Sequence, residues 1–75
     1  DKWKFEINVD EDGVYVVEAD WLVKVLGMVN IEDEESLGYF QRVLRQSGII
    51  DRLEEMGINE GDTVSILNFE FDYIR

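Results

Sequence analysis

The stretch from Ser36 to Thr63, SLGYFQRVLRQSGIIDRLEEMGINEGDT, leaves a chain little freedom in how it folds. Leu37, Phe40, Val43 and Leu44 recur at the spacing of one helical face. Arg42 and Arg45 fall near the end of that helix, where cations complement the macrodipole. Gly48 suits the left-handed position just beyond it. Ile49, Ile50, Leu53 and Met56 form a second, shorter apolar face, closed by Gly57. In Asn59-Glu60-Gly61-Asp62, Gly61 offers the positive φ of a tight turn leading into a strand.

The flanks have a different period. Trp3, Phe5, Ile7 and Val9 alternate with Lys2, Lys4, Glu6 and Asn8, which predicts a half-buried strand. Asp10-Glu11-Asp12-Gly13 is a turn, and Val14 to Glu18 resumes as a strand of β-branched and aromatic residues. Asp20 is expected to cap a helix whose apolar face is Trp21, Leu22, Val25, Leu26 and Val29, with Gly27 weakening it. Asn30 to Asp33 connects to the next helix, which Asp33 or a neighbour caps. Glu34 and Glu35 sit in its first turn. Thr63 to Leu67 and Phe69 to Tyr73 close the chain as strands around a Leu67-Asn68 turn. The expected fold is α+β: two β-hairpins at the chain ends form one antiparallel sheet, with about three helices between them packed on one face.

Order and spacing together carry a resemblance. Phe40-Gln41-Arg42 with Leu44, Gly48-Ile49, Leu53, Gly57, the turn Gly61-Asp62-Thr63-Val64 and the closing Phe69-Glu70-Phe71 resemble the C-terminal domain of Obg-type GTPases. Tyr15, Val17, Leu22 to Leu26, Met28-Val29-Asn30 and Glu35-Ser36-Leu37 extend the likeness over nearly the whole chain. It departs at Ala19, where family members commonly have glycine or another small residue, and at Gly27, where they commonly have a basic one. The resemblance implies a single accessory domain, residues 1–75, cut from a larger GTPase, as a chain opening Asp1-Lys2-Trp3 also suggests.

Composition bounds the partners. Seven basic residues against 18 acidic ones give a net charge of −11. Such a chain is repelled by nucleic-acid phosphates and anionic membranes, and favours basic protein surfaces or cations. At 45% hydrophobic and 12% aromatic residues it can still bury a core. It has no cysteine, which excludes disulfides and zinc–thiolate sites and agrees with a cytoplasmic setting. No apolar run is long enough to span a bilayer.

Two acidic clusters are the candidate interaction surface: Asp10, Glu11 and Asp12, and Glu32, Asp33, Glu34 and Glu35. The first sits in a run, Asn8 to Gly13, that begins like a calcium loop. Counting from Asn8, the twelfth position should hold glutamate and holds Ala19, so an acidic hairpin turn is the better reading. The second complements a helix start, and nothing near it supplies a phosphate or octahedral oxygens for magnesium. Gly61-Asp62-Thr63 lacks the further glycines and the lysine of a phosphate loop, and Asp62 would repel the ligand; it reads as a structural turn. Trp3, Trp21, Phe40, Phe69, Phe71 and Tyr73 lack the basic groove of a nucleic-acid stacking platform and read as core.

With neither histidine nor cysteine, no catalytic, cofactor or metal residue is assigned. The resemblance implies a parent that hydrolyses GTP and acts in large ribosomal subunit assembly. GTP and its magnesium would lie in a GTP-binding domain, none of which this chain contains. This segment would be non-catalytic, contacting other parts of the parent or a ribosome-associated basic protein. The alternative is a stand-alone acidic module binding a basic partner.

Overall fold

Alternating side chains make strands here only where neighbours complete the ladder. The structure, a computed structural model, describes residues 3–75. Asp1 and Lys2, the latter the first polar residue of the alternating run, lie outside the described residues. The elements are β1 (Glu6–Val9), β2 (Tyr15–Glu18), α1 (Asp20–Met28), α2 (Glu34–Gln46), α3 (Ile49–Glu55), β3 (Thr63–Ile66) and β4 (Phe69–Asp72). The first strand is shorter than its alternation predicts. Trp3 stacks edge-on against Trp21, ring centroids 4.7 Å apart, and the Trp21 indole N–H donates to the Lys4 carbonyl at 2.8 Å. Packing against α1 thus takes Trp3 and Lys4 out of the sheet.

The fold is α+β, with a hairpin at each end and three helices between. The strand order is β1-β2-β3-β4. Both hairpins are antiparallel, but β2 and β3 pair in parallel, Tyr15 with Val64 and Val17 with Ile66. The sheet is therefore mixed, which corrects the expectation of an antiparallel one. Alternation fixes which face a side chain takes and carries no information on strand direction. The three-helix connection is long enough to return the chain to either end of the sheet.

Helix boundaries follow local chemistry. β2 runs into α1 through Ala19 alone, an extended N-cap with no side-chain bond. Asp20 is the first helical residue rather than the cap, and its charge still favours the first turn. Asp33 does cap α2, accepting from the Ser36 amide at 3.2 Å. Gly48, at φ 91°, turns the chain between α2 and α3, where the buried Ser47 hydroxyl donates to the Leu44 carbonyl. After α3, the Gly57 amide donates to the Glu54 carbonyl and the Ile58 amide to that of Leu53, with Leu53 and Ile58 both buried. That pair of bonds is a Schellman stop.

All three helices pack on one face of the sheet. Leu22 of α1, Phe40 and Leu44 of α2, and Ile49 and Leu53 of α3 join Tyr15, Val17, Val64 and Ile66 in one core. The intervening strand residues Glu6, Asn8, Val16, Glu18, Thr63, Ser65, Glu70 and Asp72 belong to the opposite, open face.

Candidate interaction surface

The first acidic cluster is a turn whose leading carboxylate is already engaged. Asp10 Oδ1 accepts from the amides of Asp12 and Val14, each at 2.9 Å, and the Asp10 amide donates to the Val14 carbonyl. Gly13 takes φ 84° to complete the bend. Glu11 and Asp12 are exposed, with no such duty among the described residues. The second cluster divides in the same way. Asp33 serves as the α2 cap, and Asn30 and Ser36 brace the connection through side-chain bonds to the amides of Glu32 and Asn30. Glu32, Glu34 and Glu35 are exposed. Among the described residues no three carboxylates converge where a metal ion could sit.

The turn Gly61-Asp62-Thr63 has its leading amides engaged within the fold: Gly61 donates to the Tyr73 carbonyl at 2.8 Å and Asp62 to the Asn59 carbonyl at 3.0 Å. Asp62 Oδ2 accepts from the Asn59 amide at 2.9 Å, and the Asp62 carbonyl accepts from Tyr73. The aromatic residues divide between core and surface. Phe40 and Tyr73 are buried, Phe69, Phe71 and Trp21 are half-buried, and Trp3 is exposed. Phe69 bridges Phe40 and Phe71, with ring centroids 5.9 and 5.6 Å away.

Two surfaces escape a reading of the sequence. One is the open face of the sheet, where Glu6 pairs across from Glu18 and where Glu70 and Asp72 lie beside Ser65 and Thr63. The acids are dispersed along the chain, so only strand order brings them onto one surface. The other is a groove of about 790 Å³ between α2 and β4, floored by Phe40, Leu44, Phe69 and Phe71 and flanked by Arg45 and Arg75. At one end Tyr73 donates its phenol to Glu54 Oε2 at 2.5 Å. That carboxylate, as acceptor, holds the phenol above its ordinary value of 10.0; burial and the carboxylate's charge add to the shift, while Arg75 and Arg45 oppose it. The closing Phe-x-Phe-x-Tyr pattern is the one sequence signal of this groove, since it sets three aromatic rings on a single strand face.

Among the described residues no helix is long and apolar enough to cross a membrane. Residues 5–73 match the family described as "Domain of unknown function (DUF1967)". The chain is 63% identical over 71 residues to the GTPase Obg of Ruminiclostridium cellulolyticum, a match covering 95% of this chain and 16% of that protein. It is 54% identical over 65 residues to the GTPase Obg of Acetivibrio thermocellus, covering 87% of this chain and 15% of the relative. With the GTPase Obg of Alkaliphilus oremlandii it shares 45% over 75 residues, all of this chain and 17% of the relative. The chain thus spans about a sixth of the length of the curated relatives it matches. It belongs to the DUF1967 family, the C-terminal domain of Obg-type GTPases.

Proposed function

We propose that residues 1–75 form one non-catalytic accessory domain of a cytoplasmic Obg-type GTPase, acting by contact. Its parent hydrolyses GTP with magnesium in a separate domain and takes part in large ribosomal subunit assembly. The observation that carries this reading is a match along nearly the whole chain to a small part of proteins named GTPase Obg. In support, the sequence has no glycine-rich loop with its lysine. The partner is a basic protein surface, on the ribosome or elsewhere in the parent. Glu11 and Asp12, with Glu32, Glu34 and Glu35, steer it, while Asp10 and Asp33 hold the backbone beneath them.

The test separates steering from folding. Glu11→Gln with Asp12→Asn, and Glu32→Gln with Glu34→Gln and Glu35→Gln, leave both structural aspartates in place. Each set is expected to slow association of the intact parent with the large ribosomal subunit while the fold stays intact, with at most a small loss of stability in the second set, whose Glu34 and Glu35 lie in the first turn of α2. The difference from wild type should fade with added salt, since the Debye length is about 8 Å at physiological ionic strength. Rates unchanged in both variants would overturn the acidic contact. Binding of the isolated chain to naked ribosomal RNA that tightens as salt falls would do the same. Calorimetry of the isolated chain with GTP or GDP is expected to show no binding; a micromolar one-to-one complex would overturn the non-catalytic reading.

A further inference from the structure

β4 is an edge strand, and its free side faces an apolar groove. In the β3–β4 hairpin Ile66 pairs with Phe69 across a two-residue turn and Val64 pairs with Phe71. The Tyr73 amide and carbonyl continue that inward ladder, bonding to the Asp62 carbonyl and the Gly61 amide at 2.8 Å each. By antiparallel alternation the N–H and C=O groups of Glu70 and Asp72 point the other way, to the open edge. Their side chains lie on the open sheet face, while Phe69 and Phe71 lie on the helix face. The groove lies along this edge, and α2 lines it with Leu37, Phe40, Gln41 and Leu44. An unsatisfied ladder beside apolar surface is what an added strand requires: main-chain bonds hold it, and alternate side chains enter the groove.

Charge decides what kind of strand fits. A second copy of β4 laid antiparallel on the first would bring Glu70 and Asp72 of one chain beside those of the other, and like charges so placed are unfavourable. Each residue of an added strand that does not enter the groove falls on the open face, next to Glu70 or Asp72. No strand residue on that face is basic. Within the groove the charges offset one another, Arg45 and Arg75 against Glu54 and Asp72, and Glu54 is engaged by the Tyr73 hydroxyl. A lysine turned inward would exchange water for an apolar wall with no net charge attraction to offset the cost, so apolar side chains are favoured there.

We propose that β4 and the α2 groove are a docking site for an extended polypeptide segment that adds as a fifth strand, with apolar residues at alternate positions and Lys or Arg between them. The site is separate from the acidic turns and does not depend on their role.

The test uses the 15N-labelled chain, with a dispersed amide spectrum as the check of folding. The probe is a capped nine-residue peptide alternating valine and lysine, against a scrambled peptide of the same composition. Chemical-shift changes are expected along β4 and the groove-facing residues of α2, with slowed amide exchange at Glu70 and Asp72. The scrambled peptide should bind about tenfold more weakly or not at all. Glu70→Lys with Asp72→Lys changes exposed side chains only, and should shift preference about tenfold toward a valine–glutamate peptide. Equal binding of the scrambled peptide, changes confined to the acidic turns, a helical bound peptide, or an unchanged preference in the reversal variant would each overturn the proposal.

Discussion

Tyr73, the residue after β4, is tied to α3 through one side-chain hydrogen bond, and that bond has a definite pH range. Its phenol donates to Glu54 and titrates above the ordinary 10.0 in the folded chain. A raised folded value means the contribution to stability is fully present below 10.0 and is lost as pH climbs through the raised value. Tyr73→Phe lacks it throughout. Urea midpoints of the two proteins are therefore expected to differ at pH 8 and to converge as pH rises above 10; a constant gap would show that the bond contributes nothing. Two glycines make a second contrast. A Cβ at Gly27 meets open space on helical backbone, so Gly27→Ala should stabilise by about 0.5–1 kcal/mol. Gly48 sits at φ 91°, and Gly48→Ala should destabilise by about 1–2 kcal/mol. Urea unfolding of both reads the opposite signs. Only one of these two roles was legible: Gly48 stands just past an apolar periodicity and declares a stop, while Gly27 interrupts one and declares no purpose.

At the scale of elements, α2 packs beside α3 and places Phe40 and Leu44 in the core against the sheet. Phe40 is 1% exposed and meets Phe69 edge-on. Phe40→Ala is expected to cost about 3–5 kcal/mol, enough to unfold a domain of this size at moderate urea. A midpoint equal to wild type would mean that this face of α2 does not pack as described. The helix was readable because its side chains repeat at one period and its ends carry Asp33 and Gly48. Where an element is held by tertiary contact instead, local pattern misleads. Trp3 continues the alternation of β1 yet packs on Trp21, and Asp20 has the chemistry of a cap but lies one residue inside the helix. The acidic turns were visible as composition. The division of labour within them was not, because it depends on which carboxylate a backbone amide reaches. The groove and the open acidic face needed the strand order, which no short stretch of sequence contains.

For the molecule as a whole, the parallel pairing of β2 with β3 decides how the parts become one. Each hairpin and helix closes through neighbours in the chain, whereas more than half of the chain lies between β2 and β3. Their meeting is the costly loop closure, and it gathers two half-sheets into one. Val64, fully buried at that seam, is expected to belong to the folding nucleus. Val64→Ala should slow refolding, whereas Phe69→Ala, on the outer strand, should mainly speed unfolding; the two arms of a chevron plot separate these effects. An unchanged refolding rate in the Val64 variant would place the barrier elsewhere. Until the seam forms, each half-sheet has an unpaired inner edge, β2 with Val16 and Val17 on one and β3 with Val64 and Ile66 on the other, the side that the finished fold hides. The interval of greatest risk for misassociation therefore lasts until that costly closure, and it ends when the two hairpins meet.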